Sequence, residues 1–250
     1  MAEEVPLHDL NHPKERLARI MGQEGLERLA DARVLVLGIG GVGSNCAEAL
    51  VRGGLGGIVA VDGDVVAPSN INRQSIAFLS TVGLPKVQVF SAMAADIDPA
   101  CTVEPVQRFV HAEDVAAFLD EVGPVDWVVD ACDMVSTKLA LAEECERRGQ
   151  PLISSMGVAN KLDPSAVAVA DIYQTVNDPL ARVMRKEARK RKIRSLTVAY
   201  SSEVPHKGAQ LPGSERRERT DLGTCSYMPA VMGLTIAGHV IRQISGVGLA

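Results

Sequence analysis

Aromatic side chains are scarce in this chain: four Phe, three Tyr and one Trp make up only 3% of its 250 residues. That excludes an extended base-stacking platform, so any nucleic acid it takes must be recognised through phosphates and shape, with at most one or two stacked bases. The five cysteines, Cys46, Cys101, Cys132, Cys145 and Cys225, include no Cys-x-x-Cys pair and no Cys/His cluster with zinc spacing, which argues against a zinc site. Their odd number, together with a charged start from Met1 to Lys14 that lacks a signal-peptide pattern, predicts a reducing, cytoplasmic setting. No apolar run suits a bilayer: Met228 to Ile244 is short and contains His239, Arg242 and Gln243, so it reads as a packed helix. Excess positive charge is also missing. The net charge of −5 argues against nonspecific coating of nucleic acid and leaves room for a local basic patch.

What is present points to a globular α/β chain. A length of 250 residues and 46% hydrophobic composition suit one domain with a substantial core. After a helical pattern from Lys14 to Ala30, strand-like runs recur at Val34–Leu37, Ile58–Val61, Thr102–Val106 and Val125–Val129. Helical patterns at Ser44–Arg52, Pro85–Ala95, Ala112–Leu119 and Ser136–Arg148 fill the gaps. Such alternation predicts a doubly wound, mainly parallel, Rossmann-like sheet covered on both faces. Pro151 to Ser155 extends the sheet, with later strands at Ser165–Ile172 and Leu196–Ser201. Residues 202–224 carry three glycines and two prolines among polar residues without any period, and are expected to form a long mobile loop.

The glycine-rich stretch Gly38-Ile39-Gly40-Gly41-Val42-Gly43 lies where the first strand hands over to a helix. The glycines allow a tight turn and close backbone approach, and the first N–H groups of the helix, at its positive dipole end, receive phosphate. Asp62 closes the next apolar strand, nineteen residues after Gly43, where a carboxylate accepts hydrogen bonds from ribose hydroxyls. Alone, these two features predict NAD. Asn70-Ile71-Asn72-Arg73-Gln74, the isolated Lys86 and the strand end Asp130-Ala131-Cys132-Asp133 overturn that reading, because they bring two cations and two carboxylates to one rim. Displacement at a phosphate requires such a set, whereas hydride transfer does not. Gly43 is followed by Ser44 and Asn45 rather than by Lys-Ser/Thr, so the phosphate-binding lysine must come from elsewhere, and Lys86 is the candidate.

In this order, these residues resemble the ubiquitin-activating-enzyme-like adenylating superfamily of the ThiF/MoeB type. Within it, Ser155-Met156-Gly157-Val158-Ala159, Leu162-Asp163-Pro164, Asp171-Ile172 and Asn177-Asp178-Pro179-Leu180-Ala181 look like the tRNA threonylcarbamoyladenosine dehydratases. The resemblance implies ATP-dependent adenylation of the threonylcarbamoyl carboxylate in tRNA. Intramolecular attack then gives a cyclic ester or hydantoin, with net loss of water and release of AMP and pyrophosphate. It also implies Mg2+, a homodimer and, in some members, a partner from the cysteine desulfurase system. The rival within the superfamily is adenylation of the C-terminal carboxylate of a small sulfur-carrier protein. Zinc-binding cysteine pairs are frequent in that group, and their lack here favours the dehydratases.

Roles follow from side-chain chemistry. Arg73 and Lys86 are expected to neutralise the triphosphate, the first as a fixed fork and the second as a point charge. Asp133 is the expected magnesium ligand, with Asp130 orienting the metal's waters or the loop; helix N-capping is the plainer alternative for Asp133. Asn70 is expected to touch nucleotide, and Asn72 to touch phosphate or ribose, or else to tie a turn after Pro68. Asp64 and Met134, flanking these positions, complete the candidate nucleotide-contacting set. In adenylating relatives the segment around Arg16 supplies an arginine to the partner's ATP, with Arg19 as the competing residue and a solvated helix face as the plainer alternative. Cys225 precedes the last helix where sulfur-transferring relatives place a nucleophile, but cyclisation does not require one. From Arg182 to Arg194 eight basic residues face one acid, Glu187, several at three- and four-residue steps. They predict a stripe against tRNA phosphates, with a solvated helix face as the alternative.

Overall fold

The computed structural model describes residues 12–208 and 222–249. Seven strands form one sheet in the order β3-β2-β1-β4-β5-β7-β6. They are β1 (Arg33–Leu37), β2 (Gly57–Val61), β3 (Thr102–Val106), β4 (Trp127–Asp130), β5 (Leu152–Ser155), β6 (Val167–Asp171) and β7 (Thr197–Ser201). Every pair is parallel except β6 with β7, which is antiparallel. The central strands read as unbroken apolar runs because both their faces are covered, and Val34, Leu35, Val36, Val128 and Val129 are fully buried.

One face is covered by α2 (Gly41–Arg52), α3 (Lys86–Ile97) and α7 (Met228–Ser245), which bring Leu50, Phe90, Met232 and Ile236 onto the sheet. The other is covered by α4 (Val115–Val122), α5 (Val135–Arg148) and α6 (Pro179–Lys190), through Phe118, Leu139 and Met184. The N-terminal α1 (Glu15–Asp31), broken at Gly22, packs against α7. Helix α7 is the packed helix that its charges foretold. Among the described residues no helix is long and apolar enough to cross a membrane.

Strand order reverses between β1 and β4, with β2 and β3 on one side and β5 onward on the other. In open sheets of this kind the crevice beyond the carboxyl ends of the strands at this switch point is where ligands bind. Here those ends carry the glycine turn and Ala131 to Met134. Of the loop expected over 202–224, residues 209–221 lie outside the described residues. Its described ends are tied down, since His206 N donates to the Asn160 carbonyl at 2.7 Å on one side, and on the other Gly223 N donates to Asn160 Oδ1 and Thr224 O accepts from Asn72 Nδ2.

Candidate active site

Helix α2 begins at Gly41 after an N-cap, Gly40, that supplies no side-chain hydrogen bond, so its first N–H groups are free for a ligand. The turn before it closes very tightly. A Cβ at Gly43 would fall 1.7 Å from the Gly38 carbonyl oxygen, and one at Gly38, whose φ is 94°, would fall 2.7 Å from the Ala131 carbonyl oxygen. Only glycine fits either position, and the two contacts bring the turn against the tip of β4.

A cavity of about 690 Å3 opens at this point, lined by Gly38, Gly40 and Gly41 together with Asp62, Asp64, Asn70, Arg73, Lys86, Asp133 and Met134. Ten of the residues expected at a nucleotide site therefore share one wall-to-wall space, although they come from five separate segments of the chain. Gly43 stands one turn into α2, behind the glycine loop. Asn72 does not line the cavity; its side chain bridges Arg73 and the Thr224 carbonyl. Arg16 is exposed on α1 and does not line the cavity of its own chain.

Lys86 is the first residue of α3 and only 5% exposed. A cation at a helix N-terminus is electrostatically unfavourable, and two carboxylates offset that cost. Its Nζ lies 2.9 Å from Asp64 Oδ2 and 3.6 Å from Asp62 Oδ2. Asp62 also accepts from the backbone N–H groups of Ile39 and Asp64, both at 2.8 Å, so it braces the glycine turn while facing the cavity. Arg73 is held by the Ser69 carbonyl and Asn72 Oδ1, and Asn70 Oδ1 accepts from Ala67 N.

The strand-tip aspartates differ sharply. Asp130 is fully buried beneath the cavity, where Lys138 Nζ donates to it at 3.1 Å and Ser154 Oγ at 2.6 Å. Its other oxygen accepts from Cys132 N, which ties it to the 131–134 loop. Asp133 is exposed. Met134 is the N-cap of α5 and no side chain caps that helix, which leaves the Asp133 carboxylate unengaged and open to the cavity. Among the described residues no three His, Cys, Asp or Glu side chains cluster as a metal cage. One free carboxylate beside a phosphate-binding turn nevertheless suits Mg2+, which keeps most of its waters and takes its remaining oxygens from phosphates.

Two residues of the site, Lys138 and Phe109, escaped sequence reading, and a third, Gln74, closes the Asn70–Gln74 run without a role assigned to it. Lys138 is 1% exposed and lies eight residues after Asp130, among the buried Leu139, Leu141, Ala142 and Cys145 of α5, and a lysine amid that apolar set was the available signal. Gln74 is 7% exposed with an unpartnered Oε1 and lines the cavity. Phe109 carried no periodic or motif signal. Gly157, Val158 and Ala159 also line the cavity, and two residues on, Lys161 forms a buried ion pair with Asp178 at 2.9 Å, where Asp178 also caps α6 through Ala181 N. Cys225 is half-buried against the Lys161 carbonyl and outside the cavity lining. Cys132 does line it, but burial, reinforced by the Asp130 carboxylate, pushes its thiol pKa well up.

The ThiF family model matches residues 14–250. The chain belongs to the ThiF family. It is 41% identical over 242 residues to the tRNA threonylcarbamoyladenosine dehydratase of Bacillus subtilis, an alignment covering 93% of this chain and 94% of that protein. Crystal structures of E. coli tRNA N6-threonylcarbamoyladenosine dehydratase superpose closely. The complex with ATP gives a TM-score of 0.82 at 33% identity over 93% of each chain. The complex with AMP gives 0.84 at 32% identity over 97% of this chain and 98% of the other. The E. coli molybdopterin-synthase adenylyltransferase is 31% identical over only 63% of this chain.

Proposed function

We propose that this protein uses ATP to adenylate the threonylcarbamoyl carboxylate of modified adenosine in tRNA and then closes that group into a ring with net loss of water. The carrying observation is the convergence of a free helix N-terminus, Arg73, Lys86 and an unengaged Asp133 on one cavity, in a chain alike nearly end to end to the Bacillus dehydratase. A carboxylate oxygen of the substrate forms a bond to the α-phosphorus of ATP while the bond to pyrophosphate breaks. The carbamoyl group then attacks the activated carbonyl, and AMP departs with the former carboxylate oxygen. The protein's part is placement and charge. The α2 N–H groups and Arg73 hold phosphate oxygens, Lys86 lies where charge builds up on the departing pyrophosphate, and the attacking group is already tethered in the substrate. Mg2+, held by Asp133 and phosphate oxygens, would lower the charge on the triphosphate.

Two features support the expected partners. Helix α6 starts at the cavity, where Leu180 lines the wall, and runs outward with exposed Arg182, Lys186 and Arg189 at steps of four and three residues, a path for RNA phosphates. Exposed Val65, Ile71, Phe78, Leu79, Val82 and Leu84 crowd one crossover segment, which favours a homodimer that covers them. In such a dimer the exposed Arg16 is the residue to reach a neighbouring ATP site. A cysteine-desulfurase-system partner rests on the family resemblance alone, and co-purification with that system would test it.

The deciding assay is carboxylate-dependent ATP–pyrophosphate exchange, with modified tRNA compared against a small sulfur-carrier protein. Exchange with the tRNA, and loss of one water from its modified nucleoside, is the expected result. Exchange with the carrier alone would replace this reading by its rival.

A further inference from the structure

Arg73 spends only one of its guanidinium nitrogens on the protein. Nη1 donates to the Ser69 carbonyl at 2.7 Å and to Asn72 Oδ1 at 3.0 Å, while Nη2 and Nε meet no acceptor among the described residues. A fork fixed by one tine and open on the others is ready for phosphate, provided that the fixed tine does not swing. The main chain beneath it is held separately, since Arg73 N donates to the Asn70 carbonyl and Asn45 Nδ2 donates to the Arg73 carbonyl. Of the two acceptors that aim the guanidinium, Asn72 is the side chain. It is exposed, and it is braced in turn from 152 residues away, where its Nδ2 donates to the Thr224 carbonyl at 3.0 Å.

Thr224 does not stand alone. The residue before it is clamped to Asn160, whose N–H donates to the Gly223 carbonyl at 2.8 Å and whose Oδ1 accepts from Gly223 N at 2.7 Å. Asn160 has a φ of 58°, a left-handed conformation that Asn tolerates better than most residues. The next residue, Lys161, is buried on Asp178 at 2.9 Å and on the Ser201 carbonyl at 2.8 Å. One hydrogen-bonded span thus runs from the core through Asn160, Gly223, Thr224 and Asn72 to Arg73, and both Thr224 and Arg73 line the cavity. We infer that Asn72 and Asn160 are positioning residues for triphosphate binding, which aim the Arg73 guanidinium by tying it to the returning chain at Gly223 and Thr224. This rests on the ATP-dependent reading above and adds two residues that act through Arg73 without touching the nucleotide.

The test is a double-mutant cycle on ATP affinity, measured by isothermal titration of the full-length protein with melting temperatures recorded alongside. Asn72→Ala cuts the span next to Arg73. Asn160→Gly cuts it at the other end while keeping a residue suited to the left-handed backbone. Each is expected to weaken ATP binding by roughly 3- to 10-fold, the worth of one ordinary hydrogen bond. Asn160→Asp keeps the acceptor for Gly223 N and should bind ATP close to wild type. In an Arg73→Ala background neither Asn72→Ala nor Asn160→Gly should cost anything further, because the group they aim is gone. A merely loosened cavity wall would weaken ATP binding in both backgrounds alike, and that result would overturn the inference. So would wild-type affinity in both single variants, or a loss in Asn160→Asp equal to that in Asn160→Gly. A wild-type protein that does not bind ATP, or undiminished ATP affinity in Arg73→Ala, would take away the reading beneath and the inference together.

Discussion

Asp130 and Lys138 form an ion pair of 3.1 Å in which neither side chain is more than 1% exposed. The pair is completed by Ser154 Oγ, which donates to the carboxylate, and by the Ser155 carbonyl, which accepts from the lysine. It stands directly under the loop that carries Asp133. Lys138→Met leaves a buried carboxylate uncompensated and is expected to cost about 3–5 kcal/mol of stability. Removing both charges with Asp130→Asn and Lys138→Met should recover most of it. Urea unfolding of the three proteins checks this, and a double variant as unstable as the single one would show that the pair is not the cause.

Lys86→Ala removes the cation paired with Asp62 and Asp64 at the cavity. Pyrophosphate exchange is expected to fall about 100- to 1000-fold, as when one preorganised donor to developing charge is lost. Two carboxylates then face the nucleotide, so the loss should be at least that of Arg73→Ala. Exchange rates measured beside melting temperatures separate this from unfolding. An Arg73→Ala or Lys86→Ala enzyme with full exchange would remove that residue from the mechanism.

The elements that set up this chemistry were largely legible in the sequence, because their signals are local. A strand buried on both faces reads as Val34 to Leu37, and a strand-to-helix turn that must touch phosphate needs glycine where it folds back on itself. What was not legible depends on pairing across the fold. The position of β7 between β5 and β6, and the reversal of β6, follow from how the chain returns across the sheet edge. Asp130 and Asp133 read as neighbours at one strand end, yet one is sealed under the floor and the other stands open, and the buried one is paired with Lys138 from the first turn of α5.

Gly43 and Gly157 both line or support the site, but only the first is held to glycine by its surroundings. A Cβ at Gly157 would lie 3.6 Å from its nearest neighbour, an ordinary contact, against 1.7 Å at Gly43. Gly157→Ala is expected to bind ATP as wild type, while Gly43→Ala should open the turn and abolish binding. Isothermal titration distinguishes the two, and tolerance of Gly43→Ala would refute the tight-turn account.

Three thiols, at Cys46, Cys132 and Cys145, are held neutral chiefly by burial, and that of Cys145 is pushed up to about 12. Folded pKa values above the unfolded value mean that the unfolded chain loses these protons first. Their stability contribution is complete below about pH 8.5 and declines as pH rises toward the folded values, by about 1.4 kcal/mol per pH unit for each thiol. Unfolding free energies between pH 8 and 10 should fall accordingly, and Cys46→Ala should flatten the slope. Cys132 should resist iodoacetamide at pH 8 although it lines the cavity, and rapid labelling there would contradict the burial argument.

The basic segment divides once its contacts are known. Lys190 pairs with Glu187, Arg191 with Glu143 and Arg194 with Glu146, while Arg185 turns inward onto the Thr175 carbonyl. Arg182 and Lys186 make no ion pair among the described residues, and Arg189 keeps its charge over the Tyr173 ring. If tRNA follows α6, changing Arg182, Lys186 and Arg189 together to Glu should weaken tRNA binding strongly. It should also reduce the slope of log affinity against log salt by roughly 0.7–0.9 for each lost phosphate contact. The matching triple change at Lys190, Arg191 and Arg194 touches residues already neutralised by their partners, so its effect on the slope should be smaller. ATP affinity should be untouched in both. Equal effects of the two triples would mean that RNA senses only net charge, and the outward path along α6 would have to be abandoned.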